Sequence, residues 1–581
     1  VASDAVHSAA RATLAGTDVE CGFDYTYKSV PEAVRRGLIT EAEVDKHVVR
    51  LLEGRFDLGE MGDPSLVSWS KIPSSVLESK EHRQLALDMA RQTITLLQNR
   101  NGILPLRKGE RIAVIGPNAD NKPMMWGNYN GTPTTTVTIL DGIRRENRKV
   151  VYHQGCDLTD SRIVTPLFDE CSFEGRKGFK GTFWNNTARE GKPVATEYYT
   201  QPFAKTTAGN YQFAPGVNLT DFSARYETVF RPTKSGEVVI NVESVSRFDV
   251  VVNGEVKVRH ATWRTTPTRT PIKVEAGREY KIEIHFAHMP TYGASIKVNI
   301  GTESDIDYSD IIGRLKGIDK VVFVGGIAPS LEGEEMPVEI DGFKGGDRTH
   351  IELPAVQRDF LKALREAGKR VVFVCCSGSA IALRPETESC EAIVQAWYPG
   401  MEGGTAVADV LYGRVCPSGK LPVTFYSSSD QLGDFEDYRM EGRTYRYIRG
   451  FKPLFPFGHG LSYTTFDIGE ARLSSTTVGT GGVTMEIPVT NTGDRDGAEV
   501  VQVYVRNPAD PEGPVMQLRG YCRLDVKAGK TATASIALTS KSFEWFDGQT
   551  NTIRVKPGTY ELLYGNSSAG EALRRATVTV E

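Results

Sequence analysis

Four short apolar runs in this chain follow one pattern, and the distance between them limits what it can fold into. They are Arg111-Ile-Ala-Val-Ile-Gly-Pro-Asn118, Lys320-Val-Val-Phe-Val-Gly-Gly326, Lys369-Arg-Val-Val-Phe-Val-Cys375 and Ala392-Ile-Val-Gln-Ala-Trp397. A continuous apolar run bounded by turn residues reads as a strand buried on both faces, the kind a parallel sheet requires. Helical patterns over 355–367 and 403–412 complete an open α/β sandwich. Two hundred residues nevertheless separate the first run from the second, so another fold must be held between strands of one sheet.

That intervening stretch is strictly alternating. Arg225-Tyr-Glu-Thr-Val-Phe230, Gly236-Glu-Val-Val-Ile-Asn241 and Phe248-Asp-Val-Val-Val252 have period two, and Asn253-Gly254 is a two-residue hairpin turn. The block 175–303 therefore reads as an inserted β-sandwich. From about 470 the chain is again all β, with Val483-Thr-Met-Glu-Ile-Pro-Val-Thr490, Glu499-Val-Val-Gln-Val-Tyr-Val505 and a closing Thr577-Val-Thr-Val-Glu581. This second β block reads as an immunoglobulin-like sandwich.

The beginning of the chain differs. Residues 1–60 read helix, strand, helix, helix, with Leu14-Ala-Gly-Thr-Asp-Val-Glu-Cys21 as the strand. Thr40-Glu-Ala-Glu43 is a capping box opening a helix with Val44, Val48, Leu51, Leu52 and Phe56 on one face. The pattern matches the last βα turn of a larger α/β unit. Val1 is not a methionine and no signal peptide precedes it, so the chain reads as a fragment. A Pro/Ser-rich linker over 63–79 and a helix over 79–97 follow. The expected domains are thus 1–60, a linker and helix at 61–98, an α/β domain at 99–174 and 304–468, the insert at 175–303, and the last sandwich at 469–581.

Charge and cysteine content exclude several functions. Lys and Arg number 69 against 73 Asp and Glu, a net charge of −4, so no basic field draws nucleic acid or anionic lipid. No apolar run approaches the 18 residues of a membrane span. The eight cysteines form no C-x-x-C pair, and Cys375 and Cys376 read as buried thiols. His285 and His288 sit three apart in a strand-like segment, on opposite faces, and cannot share a metal. Neither metal nor cofactor is expected. Gly413-Arg-Val-Cys-Pro-Ser-Gly-Lys420 has one residue too many between its glycines for a phosphate loop. Ser377 lacks the G-x-S-x-G elbow of a nucleophilic serine.

Gly325-Gly-Ile-Ala-Pro-Ser-Leu-Glu-Gly-Glu-Glu335 follows directly on a buried strand, where α/β folds place ligand chemistry. Glu332, Glu334, Glu335, Glu339 and Asp341 crowd together there, and neighbouring carboxyls favour the protonated form that a general acid needs. A solvated acidic loop is the plain alternative.

Longer stretches carry a family resemblance. Ala15-Gly-Thr-Asp-Val-Glu-Cys-Gly22, Glu53-Gly-Arg-Phe-Asp-Leu-Gly59, Ala90-Arg-Gln-Thr-Ile-Thr-Leu-Leu-Gln-Asn99 and Ile112-Ala-Val-Ile-Gly-Pro-Asn-Ala119 come first. Trp397-Tyr-Pro-Gly-Met-Glu-Gly-Gly404, Pro417-Ser-Gly-Lys-Leu-Pro-Val-Thr-Phe425 and Phe455-Pro-Phe-Gly-His-Gly-Leu-Ser-Tyr-Thr464 follow in order. Together they resemble glycoside hydrolase family 3, over nearly the whole chain except the insert. Gly127-Asn-Tyr-Asn-Gly-Thr-Pro133 and the Leu-Glu-Gly-Glu-Glu loop are most similar to its β-xylosidase branch.

The resemblance implies the final part of a (β/α)8 barrel over 1–60. It also implies a protective-antigen-like insert and a fibronectin type III-like last domain. It further implies a retaining exo-β-glycosidase acting on terminal sugars of an oligosaccharide or aryl glycoside. Xylosides come first, as in hemicellulose breakdown, with glucosides or α-L-arabinofuranosides as runners-up. In such enzymes a barrel aspartate attacks the sugar and a glutamate of the α/β sandwich protonates the leaving oxygen. Glu332 is the first candidate for acid/base, Glu334 the second and Glu335 the third. Ser3-Asp4 imitates the family's nucleophile motif, but only 12 residues separate Asp4 from Thr17, too few for a loop, crossover helix and loop. Asp4 is expected to be a helix N-cap, with the nucleophile upstream of Val1. The resemblance, with sequons at Asn130, Asn185, Asn218 and Asn566, implies a periplasmic or secreted protein. A different class of function, non-catalytic carbohydrate binding, would rest on Phe183, Trp184, Tyr226 and Trp263 of the insert.

Overall fold

The computed structural model describes residues 2–21, 26–207, 210–290, 293–336, 338–479 and 481–581, and within 262–266 the backbone alone. The chain forms two compact units, Val1–His82 and Arg83–Glu581.

The first unit is helical, with helices Ala5–Leu14, Val30–Arg35 and Glu41–Asp57. Thr40 and Glu43 form the expected reciprocal cap: the Thr40 hydroxyl accepts from Glu43 N–H at 3.3 Å, and the Glu43 carboxylate from Thr40 N–H at 2.7 Å. Of the predicted apolar face only Val44 joins the small core of Ala10, Ala33 and Ile39. Val48, Leu51, Leu52 and Phe56 are exposed. The strand expected over 14–21 does not form, because Leu14 closes the first helix and 15–21 has no ladder partner among the described residues. Asp18 instead ties this segment to the third helix, accepting from His47 at 2.5 Å and Arg50 at 2.6 Å. Gly22, which ends that motif, lies outside the described residues. The linker consists of three single turns, Pro64–Leu66, Trp69–Lys71 and Ser74–Val76.

The second unit contains the parallel sheet. Its strands are β1 (Thr95–Asn99), β2 (Ile112–Ile115), β3 (Val150–His153), β4 (Lys320–Gly326), β5 (Arg370–Cys376) and β6 (Ala392–Gln395), in the order β1-β6-β5-β4-β2-β3. Only β1 is antiparallel, paired with β6. The helix expected over 79–97 ends at Thr93, and the residues beyond it form this edge strand. The β-branched run Thr93-Ile-Thr95 favours extended backbone once a neighbouring strand offers a ladder.

Successive side chains of the inner strands serve two cores. Val322, Val324, Val372 and Val374 meet Ile139, Leu140, Val407 and Leu411 from helices Ile139–Glu146 and Gly403–Leu411. Val321, Phe323, Val371 and Phe373 meet Phe360, Leu361 and Leu364 from helix Ala355–Glu366. Both faces are therefore covered, which is why these strands are apolar throughout. Cys375 and Cys376 are buried free thiols, as expected.

Between β3 and β4 the chain runs through an antiparallel sheet that starts at Arg162 and ends at Asp305. The expected boundaries of 175 and 303 are thus too narrow. The short strand Arg162–Pro166 is mostly exposed and does not stand out in sequence, but it pairs with Ser295–Asp305. Asn253 and Gly254 have φ of 51° and 81° and join the paired strands Gly236–Val252 and Glu255–Val274, the turn expected there. The block has its own core, including Phe179, Phe213, Phe230, Phe248 and Phe286. Its ends meet where Ile306 N–H donates to Ser161 O at 2.9 Å.

The last part of the chain forms two facing sheets. One contains Phe466–Ile468, Arg472–Leu473, Val483–Asn491 and Thr531–Leu538. The other contains Thr477–Val478, Gly497–Arg506, Gln517–Val526, Gly558–Gly565 and Arg574–Val580. Met485, Ile487, Val501, Val503, Trp545 and Tyr560 fill the core.

Candidate active site

The carboxyl ends of β4, β5 and β6 lie side by side, and the segment after each contributes to one cluster. Ligands of parallel α/β sheets bind outside these ends. Glu332, in the loop after β4, is at its centre. Its Oε1 accepts from Gly378 N–H at 2.8 Å and Tyr398 O–H at 2.7 Å, and its Oε2 from Ser379 O–H at 2.8 Å. Gly378 and Ser379 follow β5, and Tyr398 follows β6. One carboxyl thus fastens three strand ends together.

The residues around this carboxyl are equally specific. A Cβ on Gly378 would lie 2.8 Å from Glu332 Oε1 and 3.0 Å from the Tyr398 ring, so only glycine allows that approach. Burial and the Glu332 charge push the Tyr398 phenol well up, which keeps it a donor. Arg348 donates to Ser379 Oγ, His350 O and Glu352 O at 3.4, 3.1 and 3.2 Å. Burial lowers the Arg348 pKa and the nearby Glu332 charge opposes that shift. The loop itself is held from beneath by Asn118, whose side-chain amide donates to Gly325 O and Ile327 O at 3.1 Å.

Glu334 lies two residues beyond Glu332 in the same loop. It is exposed, and the Tyr129 hydroxyl donates to it. Asn128, next to Tyr129, donates to the Glu332 backbone carbonyl at 2.8 Å. The Gly127–Pro133 stretch and the acidic loop, separate in sequence, therefore share one site. Tyr129, Glu335 and Trp397 have φ of 52°, 46° and 58°, left-handed backbone that non-glycine residues adopt at a cost. Glu335 is exposed. Glu339 and Asp341 lie on the following hairpin, where Asp341 approaches His350 at 3.4 Å.

The other candidates occupy different positions. Asp4 caps helix Ala5–Leu14, accepting from His7 N–H at 2.9 Å, and that bond holds its carboxyl below the usual range. Ser377 is buried, donating to Ser379 O and accepting from Gln395. Phe183, Trp184 and Tyr226 are buried, so they offer no ring face to a sugar and the binding-protein reading loses them. The Trp263 side chain lies outside the described residues. Among the described residues no cluster of His, Cys, Asp and Glu could hold a metal, and no helix is long and apolar enough to cross a membrane.

Tyr398, Ser379, Gly378 and Tyr129 were absent from the candidates drawn from sequence. Position relative to the strand ends was the available signal: Ser377-Gly-Ser379 and Trp397-Tyr398 each follow a parallel strand directly.

Known proteins share the sequence and fold that carry this site. Residues 94–463 match the glycosyl hydrolase family 3 C-terminal domain, and 499–568 match a fibronectin type III-like domain. A xylan 1,4-beta-xylosidase of Xylanibacter ruminicola is 61% identical over 581 residues, which is 100% of this chain and 67% of that protein. A periplasmic beta-glucosidase of Salmonella typhimurium is 26% identical, the match covering 96% of this chain and 58% of that protein. The structure of a beta-glucosidase from Kluyveromyces marxianus in complex with glucose has a TM-score of 0.71 at 24% identity, covering 99% of this chain and 72% of that one. The shared fold, the ordered motifs and the high identity have one reading: this chain belongs to glycoside hydrolase family 3.

Proposed function

We propose that the chain serves a retaining β-xylosidase and supplies its acid/base carboxyl from the loop after β4, with Glu334 in that role and Glu332 positioning it. The two roles are assigned in the reverse of the order expected from sequence. The observation that carries this choice is the set of three donors on Glu332. Both of its oxygens are held by the protein, whereas Glu334 stands on the exposed side beside Tyr129. In retaining chemistry a carboxyl protonates the leaving oxygen while a carboxylate about 5–5.5 Å away attacks, and the first then takes a proton from water. Asp4 is not the attacking group in this reading, since its carboxylate is used as a helix cap.

The 61% identical xylosidase supports xylosides as the substrate, ahead of glucosides and arabinofuranosides. The insert is proposed to be a protective-antigen-like sandwich, and 1–60 the closing part of a barrel. The periplasm is the proposed location, supported by the name of one relative.

The test exchanges residues 1–581 for the matching region of the Xylanibacter ruminicola xylosidase. This chimera should hydrolyse aryl β-xylosides faster than aryl β-glucosides. Glu334→Gln should cost about 100-fold or more on xylobiose, with a basic leaving oxygen, and far less on an activated aryl xyloside. Glu332→Gln should slow both substrates alike. If Glu332→Gln instead gives the leaving-group-dependent loss, the roles are reversed. A folded chimera without xylosidase activity overturns the substrate assignment.

A further inference from the structure

A cavity unrelated to the carboxyl cluster lies in the last part of the chain, about 580 Å3 in volume, within the size range of small-ligand sites. Its lining includes Arg446, Arg519, Gln517, Trp545, Phe546 and Ile553. Arg446 and Arg519 share one acceptor, the Gln517 side-chain carbonyl, at 3.4 and 3.1 Å. Arg519 also donates to the Glu544 backbone carbonyl at 2.9 Å. Neither guanidinium has a carboxylate within 4.0 Å among the described residues, and the buried Nε–H of each has no acceptor. Burial and the Arg446 charge both act against the Arg519 cation, and the Glu544 charge opposes them only in part, from beyond 4.0 Å. Two adjacent cations with unused donors require an anion, because leaving such donors unpaired is costly.

The carboxyls of the lining do not meet that need. Asp510 is engaged by Trp545 Nε1 at 2.9 Å and Gly513 N–H at 3.0 Å. Glu512 and Glu544 also line the cavity, as does Lys556, which approaches Asp547 at 4.0 Å. Lining cations and anions balance, so attraction for an anion is local to the two guanidinium groups. Beside them, Phe546 and Ile553 are cross-strand partners with 58% and 69% of their surface exposed. A flat apolar face next to paired forked donors fits a ring that carries a carboxylate.

We propose that this cavity binds a carboxylate-bearing sugar, a hexuronate or uronosyl unit, with its carboxylate on Arg446 and Arg519 and its ring against Phe546. The site is separate from the carboxyl cluster and does not depend on the proposed acid/base assignment.

The experiment titrates D-glucuronate, D-glucose and inorganic phosphate into the 581-residue chain by calorimetry and by 19F NMR of fluorophenylalanine-labelled protein. Glucuronate should bind at millimolar concentration or tighter, and glucose should not bind. Arg446→Gln and Arg519→Gln should each weaken glucuronate at least tenfold. Phe546→Ala, on an exposed side chain whose loss leaves the fold intact, should weaken it about threefold or more without changing phosphate binding. Absence of glucuronate binding up to 50 mM overturns the proposal, as does equal binding of glucose. Phosphate binding as tight as glucuronate, unaffected by Phe546→Ala, reduces the cavity to a bare anion site and overturns the sugar assignment. If both arginine variants misfold, the Phe546→Ala and glucose arms still decide.

Discussion

At the scale of single residues, the acidic loop is governed by what holds Glu332. Gly378→Ala places a methyl group 2.8 Å from Glu332 Oε1, so the carboxyl must swing away and release the loop after β4 from the segments after β5 and β6. In the chimera kcat should fall about tenfold or more, while the melting temperature drops by only a few degrees. Steady-state kinetics beside a thermal scan checks this, and a fall in both of equal severity would make Gly378 merely structural. Tyr398→Phe removes one of the three donors and should cost about 1 kcal/mol of stability, measured by urea unfolding. Glu332 could be picked out from sequence because it follows an apolar strand. Its partners Gly378, Ser379 and Tyr398 carry the same strand-end signal, but they are 46 to 66 residues away and only the sheet order shows that they meet Glu332. The same distance in sequence hid the contact between Tyr129 and Glu334, 205 residues apart.

At the scale of elements, the strands that were clear in sequence were those with a uniform environment. β2, β4, β5 and β6 are buried on both faces and read as unbroken apolar runs, and Gly236–Val252 alternates because one face is wet. Thr95–Asn99 and Arg162–Pro166 fit neither pattern, because edge strands take their form from a neighbour rather than from burial. The hairpin at Asn253 was clear for a local reason, its left-handed φ of 51°. Asn253 Oδ1 also accepts from Lys281 N–H at 2.8 Å, so the turn is tied to a third strand. Asn253→Ala should therefore destabilise the block by about 1–2 kcal/mol through strain and the lost bond. Asn253→Gly, which removes only the second, should cost less. Chemical denaturation of the two variants separates these terms.

For the whole molecule, His459 provides a pH signature. Burial holds its pKa below the ordinary 6.5, while it contacts Leu97 O at 3.0 Å and stacks on Phe455. A group depressed in the fold takes up its proton more readily when unfolded. The stability it contributes is present above pH 6.5 and lost as the pH falls towards its folded value. His459→Gln should flatten the fall in melting temperature between pH 7.5 and 5.5, and an unchanged slope would remove His459 from the account. Excising 162–305 and joining 161 to 306 by a short Gly/Ser bridge should leave the chimera within about tenfold of its activity on aryl xylosides, since the two ends already touch.

The closure at Ser161 and Ile306 also affects the order of assembly. β2 and β3 emerge long before β4, so the parallel sheet cannot form until a distant strand returns to it. If the intervening sheet condenses first, it brings 161 and 306 together and shortens the open tether from well over a hundred residues to about twenty. At ~0.6 kcal/mol for each halving of a flexible loop, that saves roughly 2 kcal/mol of chain entropy before β4 docks. The block would then act as an internal template, and a lesion within it would slow a sheet it never joins. Refolding of Asn253→Ala, followed by fluorescence for the aromatic-rich block and by exchange protection of β4 amides, should show both signals delayed together. A β4 signal that keeps its wild-type rate would mean the two parts of the chain fold independently.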